Sequence, residues 1–449
     1  MRKLKYLSML CFSLLLLINT SSVTAEGNKP TNIIYMIGDG MGVGQLEIAR
    51  ELERGKEGQL FLTSLPFSAL VQTYSANRVV TDSAAAGTAL ATGSKTNNEM
   101  IGVTPDGKEV KSILDLFKEQ KKKTGIISTN AITDATPAAF TASVLNRWAD
   151  QADIAKQQLT LAPDVMLGGG EVFYGPALLE KAKKLGYTIV RNRHDLLSNQ
   201  TEGKLLGLFA PYHLSFKIDR KYTDGTEPSL SEMTKTALQK LNNGNGFFLM
   251  VEGARIDHAA HSADIASVWR ETVEFDEAVK TAVEWAHNRS DTLIVVVADH
   301  ETMGISATEP LKRKMIKKIQ ASPEYVLAQT KKGEDGKFIT SHIVDNLVKY
   351  TGIVLTEEEG IQLNARLMNA RGKVYKKNKA AWELGSFISE RYNTGIVNHQ
   401  IRSISSAGGH TANPVPLFAY GAGAEHFHGM LDNTDIPKKM AELLGYQWD

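Results

Sequence analysis

Six short apolar runs, each closing on glycine or a polar turn, constrain this chain more than any other feature: "NIIYMIGDG", "TGIISTN", "PDVMLGGG", "GFFLMVEGARID", "TLIVVVADH" and "PVPLFAYGAG". Continuous runs of this length suit strands buried on both faces of a parallel sheet, with helical segments between them. The expected fold is therefore α/β, a three-layer sandwich whose central, largely parallel sheet carries helices on both faces. Asp39, Glu252, Asp257, Asp299 and His300 fall at or just past the ends of these runs. Open α/β sheets bind their ligands there. One such carboxylate could be a helix cap, but four of them, two with histidines alongside, call for a shared explanation.

The stretch "VVTDSAAAGTALATG" puts Asp82 and Ser83 in front of a run of small helix formers. Either side chain could cap the helix by accepting from its unpaired first-turn amides. The positive N-terminus is equally an anion site, with Ser83 held where a phosphate would sit. On the stretch alone the cap is the ordinary reading, and the rest of the chain has to decide between them.

In "EGARIDHAAH", Asp257 and His261 are four apart, so on a helix they share a face and can grip one ion. "ADHE" sets Asp299 beside His300, and His410 follows two glycines that allow close backbone approach. A satisfied helix start or core histidines remain open for each fragment taken alone. His258, His399, His426 and His428 suit surface or supporting roles. Carboxylate and imidazole ligands without thiolate fit zinc in a site with open positions, and magnesium where oxygens dominate.

Arg2, Lys3 and Lys5, an apolar run from Leu7 to Ile18, and Val23-Thr24-Ala25 read as a secretory leader, residues 1–25, cleaved near Ala25. Export to the periplasm or beyond is expected, with no membrane anchor, since no later run reaches spanning length. Cys11 is the only cysteine, so the mature chain has no disulfide, and its stability rests on packing and bound metal. Losing the leader's three basic residues takes the formal charge from +1 to −2. That balance argues against a nucleic-acid surface. Residues 26–449 are expected to form one catalytic domain. Within it, about 305–395 is charged, amphipathic and mostly helical, and reads as an insertion or lid.

Together, these motifs resemble those of bacterial alkaline phosphatases, in order from about Ile33 to the C-terminus. "TDSAAAGTALATG" is similar to that family's nucleophile segment, and "DATPAAF", with Arg147 beyond it, to its magnesium and phosphate-arginine segment. "EGARIDHAAH", "ADH" and "GGHT" are similar to its remaining metal segments. The resemblance implies two zinc ions and one magnesium per chain. Asp257, His261 and His410 would hold one zinc, and Asp39, Asp299 and His300 the other, beside Ser83. Asp39, Thr136 and Glu252 would hold magnesium, with Asp134 and His258 near it. Arg147, oriented by Asp82, would clamp phosphate. The implied reaction is hydrolysis of small phosphate monoesters through a phosphoserine, in a homodimer. A phosphodiesterase or nucleotide pyrophosphatase of the same superfamily, or a non-catalytic phosphate- or metal-binding protein, is the alternative.

Overall fold

The structure, a computed structural model, describes residues 29–223, 225–308, 311–392 and 400–446. The leader, Cys11 and His399 lie outside them. The described residues form twelve strands: β1 (Asn32–Gly38), β2 (Phe67–Gln72), β3 (Lys123–Ala131), β4 (Val165–Gly169), β5 (Tyr187–Val190), β6 (Lys204–Leu208), β7 (Phe247–Gly253), β8 (Thr292–Ala298), β9 (Glu301–Thr302), β10 (His410–Thr411), β11 (Val415–Gly421) and β12 (Gly429–Asp432). Ten make one sheet in the order β12-β2-β11-β8-β1-β7-β3-β4-β6-β5, while β9 and β10 pair separately.

β1, β7 and β8 are buried along their whole length, as continuous apolar runs require of central parallel strands. Their register decides where the site lies. Gly38 at the end of β1 pairs with Gly253 of β7 and with Ala298 of β8, so three strand ends finish level, side by side. Asp39, Glu252 and Asp299 therefore emerge at one height. The connection from β3 to β4 moves toward one edge of the sheet and that from β7 to β8 toward the other. Right-handed crossovers then put the connecting helices on opposite faces. The long helix Ile265–Ala286 makes the second of these connections and packs on helices Val43–Glu53 and Leu230–Leu241.

One expectation needs correcting. The run "PVPLFAYGAG" forms β11, which is antiparallel to both β8 and β2 and is the one reversed strand of the main sheet among the described residues. It follows β10 directly and enters the sheet at the end where β8 finishes, Leu417 pairing with Val297, so it runs back against its neighbours. Residues 305–395 are mostly helical where described, including Pro323–Ala328, Thr340–Thr351, Glu357–Arg366 and Lys377–Tyr392. Thr356 caps the third of these through a capping box with Glu359.

Candidate active site

Of the two candidate caps, Asp82 takes the cap and Ser83 does not. Asp82 is the N-cap of helix Ser83–Thr92, its Oδ1 accepting from the Ala85 amide at 3.0 Å. Ser83 is the first helical residue, relieved of capping, and its Oγ lies 3.2 Å from Nε2 of His300. The helix is buried throughout, and Gly87 lets it approach helix Ala135–Ala139. A Cβ at Gly87 would stand 3.3 Å from the Thr136 Cα.

His300 Nε2 is ringed by oxygens. Besides Ser83 Oγ it faces Asp299 Oδ2 at 3.2 Å and Asp39 Oδ1 at 3.4 Å. Both carboxylate oxygens are buried without a hydrogen-bond partner. Asp299 Oδ1 is held by the amides of Gly40 and His300, which aims Oδ2 into the site. The tautomer is fixed from behind. Thr302 Oγ1 donates to Asp257 Oδ1 at 2.6 Å, leaving only lone pairs for His300 Nδ1, 3.3 Å away. Nδ1 therefore carries the proton and Nε2 presents its lone pair forward.

Asp257 and His261 do share a face of helix Arg255–His261, with His261 Nε2 3.3 Å from Asp257 Oδ1. His410 Nδ1 donates to the Thr81 carbonyl at 3.0 Å, turning its Nε2 toward His261 Nε2 at 3.1 Å and Asp257 Oδ1 at 3.6 Å. Gly40 makes this crowding possible. It has φ of +70°, and a Cβ there would lie 2.9 Å from Asp257.

The two groups that gather ligand atoms within 4.8 Å are Asp257, His261 and His410, and Asp39, Asp257 and His300. Asp257 thus stands between both groups, where the sequence suggested only the first. A third, oxygen-only group adjoins them. Glu252 Oε2 accepts from Ser128 Oγ at 2.5 Å, while Glu252 Oε1 and Thr136 Oγ1 are buried without partners.

The electrostatics of this nest fit cations. Burial, reinforced by Asp299 and Asp257, pushes Asp39 well above the usual carboxylate range. Burial likewise lifts Glu252 to about 8 and Asp299 to about 7. It also holds His300 down at about 4 and His410 well below the imidazole range. Asp257 is the exception: the imidazoles of His261, His410 and His300 outweigh its burial and hold it below the usual carboxylate range. The raised carboxylates and the depressed imidazoles are reconciled by divalent ions, which stabilise the anionic and neutral forms respectively.

Arg147 is buried, its Nη2 within 3.2–3.3 Å of both Asp134 oxygens and its Nη1 3.7 Å from Asp82 Oδ2. Its Nε has no partner. His258 sits to one side, its Nδ1 accepting from Arg255 and its ring edge-on to His213 at 5.6 Å. Ser128, Thr81 and Thr302 were not foreseen, because each acts on a ligand distant in sequence and carries no local motif.

The profile of the alkaline phosphatase family matches residues 30–446. The chain belongs to the alkaline phosphatase family. It is 34% identical over 450 residues to Alkaline phosphatase 3 of Bacillus subtilis, which covers 94% of this chain and 91% of that protein. Its fold matches that of Thermus thermophilus alkaline phosphatase with a TM-score of 0.82 at 28% identity, over 97% of this chain and 96% of the other. A mutant of the TAB5 alkaline phosphatase, solved with Mg in its M3 site, matches with a TM-score of 0.66 at 27% identity, over 94% and 99%. As an alkaline phosphatase the chain is a metal-dependent hydrolase of phosphate monoesters. Among its described residues no helix is long and apolar enough to cross a membrane.

Proposed function

We propose that Ser83 is the nucleophile of this phosphatase and that two zinc ions and one magnesium are held around it. Asp257, His261 and His410 would hold the first zinc, and Asp39, Asp299 and His300 the second. Asp39, Thr136 and Glu252 would hold magnesium. One observation carries the reading: Ser83 Oγ, at a helix N-terminus, lies 3.2 Å from the same His300 nitrogen that faces Asp39 and Asp299. Mixed imidazole and carboxylate donors suit zinc, the oxygen-only group suits magnesium, and the TAB5 relative supports the latter. When bound, such ions favour the deprotonated serine and stabilise the leaving oxygen.

The chain's own residues do the rest. Ser83 Oγ attacks phosphorus in line with the ester oxygen, and a phosphoserine forms as that bond breaks. Water then attacks the same phosphorus, the Ser83 oxygen leaves, and inorganic phosphate departs. Arg147, steadied by Asp134 and Asp82, binds two phosphoryl oxygens with its planar fork. The first-turn amides of the Ser83 helix add positive potential to the same position. Asp134 and His258 act as supporting groups.

Export after cleavage near Ala25 and assembly as a homodimer belong to this reading. The leader's basic start and apolar run support the first, and the family resemblance supports the second. Residues 305–395 are read as an insertion on the catalytic domain.

Acid trapping of the enzyme with a labelled phosphate monoester, followed by peptide mapping, tests the assignment. Phosphate on Ser83 is expected, and phosphate on any other residue overturns it. Ser83→Ala keeps its fold and metals but forms no adduct, with turnover of p-nitrophenyl phosphate reduced on the order of 10³-fold or more. Bis(p-nitrophenyl) phosphate, the corresponding diester, serves as the counter-substrate and is cleaved far more slowly by the wild type.

A further inference from the structure

Helix Lys377–Tyr392 belongs to the helical stretch that follows β9, and it docks on the end of helix Arg255–His261. The contact is intimate. A Cβ at Gly385 would stand 1.8 Å from the Ser262 carbonyl oxygen. Arg402 ties the junction together, its Nε donating to the His261 carbonyl at 2.9 Å and its Nη1 to Ser386 Oγ at 2.7 Å. At the centre of this junction the half-buried indole of Trp382 lies against the His261 imidazole. Their centroids are 5.2 Å apart and their planes 16° from parallel.

His261 differs from the other two histidines of the site. His300 and His410 each have Nδ1 within hydrogen-bonding distance of a partner, Thr302 Oγ1 and the Thr81 carbonyl. His261 Nδ1 is buried and makes no hydrogen bond. Its ring is boxed instead by surfaces. Trp382 covers one face, and the backbone of Gly409 runs along the Nδ1 edge, where a Cβ would come within 3.2 Å. Gly409 has φ of +137°, so that close approach requires glycine twice over. Ligand histidines are ordinarily oriented by a hydrogen bond on the non-ligating nitrogen. Here flat stacking takes that place.

We infer that Trp382 is a positioning residue: it fixes the ring plane of His261 and thereby sets how tightly the Asp257–His261–His410 group holds its ion. This rests on the metal assignment proposed above. It gives the helical stretch a task in the chemistry, as the source of one wall of that group.

Cobalt is the probe, because it accepts the same nitrogen and oxygen donors and its visible absorption reports ligand geometry. Full-length wild type, Trp382→Phe, Trp382→Leu and Trp382→Met are loaded with Co²⁺ and titrated with a competing chelator, and melting curves confirm the fold. Met, unbranched and flexible, adapts to an irregular gap without offering a ring face, so it answers the question should Leu fold poorly. The expected result is a Phe variant that matches wild type in band position and chelator midpoint. Leu and Met show a shifted band and lose one ion about tenfold more readily. A Leu or Met variant with wild-type band and midpoint, or a Phe variant as altered as Leu, overturns the inference. His261→Ala separates this from the underlying assignment. If it keeps its full metal complement, the assignment itself fails. If it loses one ion while Leu and Met lose none, only the role of Trp382 fails.

Discussion

Arg147 is held loosely enough to have a hand free. Asp134 takes one terminal nitrogen, Asp82 stands off at 3.7 Å from the other, and Nε has no partner. Arg147→Ala is expected to raise KM and weaken inhibition by inorganic phosphate, by about 1.5–3 kcal/mol for each charged hydrogen bond lost. Unchanged phosphate inhibition would place that fork elsewhere. At this scale the sequence was legible where a residue's role is written next to it. Asp299 and His300 end an apolar run, and Asp257 and His261 are spaced for one helical face. It was silent where the role depends on a distant partner. Thr302 reaches Asp257 across 45 residues, Ser128 reaches Glu252 across 124, and Thr81 receives His410 across 329. No periodicity or motif encodes a partner at that range. The Asp82-Ser83 pair was ambiguous for a different reason. Both residues are good caps, and only the observed helix start gives the cap to Asp82.

The elements are joined beside the site by an ion pair between a buried arginine and a partly buried glutamate. Arg255 Nη2 meets Glu324 Oε2 at 3.0 Å, linking helix Arg255–His261 to helix Pro323–Ala328, and Lys377 Nζ reaches Glu324 Oε1 at 2.8 Å. Burial opposes ionisation of Glu324, but Arg255, His213 and Lys377 outweigh it and hold the carboxyl below its usual range. A depressed folded value means stabilisation that is complete above the ordinary glutamate range and lost as pH falls through the folded value. Glu324→Gln leaves Arg255 buried beside a neutral amide, at a cost of roughly 3 kcal/mol at pH 7. The gap between its melting temperature and that of the wild type should hold steady from pH 7 down to the ordinary glutamate range and narrow progressively as the pH is taken below it. A gap that is constant with pH would show that the charge of Glu324 contributes nothing. Strand direction was the least legible property here. The β11 run reads like the parallel strands because it too lies between two strands and is mostly buried, and hydropathy does not record the direction of the chain. β2, with its half-exposed alternation "FSALVQ" near the sheet edge, and the short outer β5 fell below the pattern of continuous runs.

Over the whole molecule, the layered fold could be read because six of its strands announce themselves, and nearly all of the residues singled out for the site converge at one end of the sheet. With Cys11 the sole cysteine, no intramolecular disulfide is available to brace that convergence. Ligands that bind only the folded arrangement add stability by mass action, about 2.7 kcal/mol at a hundredfold excess over Kd. Chelation should therefore lower the melting temperature by several degrees, and His410→Ala should show part of that loss without chelator. A melting temperature indifferent to chelator would leave packing as the sole support. The strand order carries a further consequence, one of timing. β1 leaves the ribosome early, yet its two neighbours are residues 247–253 and 292–298, and His410 arrives later still. Non-local pairing of this kind closes slowly, because chain entropy is lost before contacts compensate for it. The first strand to be made must wait unpaired for the middle of the sheet to be synthesised around it. The site is complete only once the late His410 stands beside His300, and turnover reports that this long-range assembly is in place.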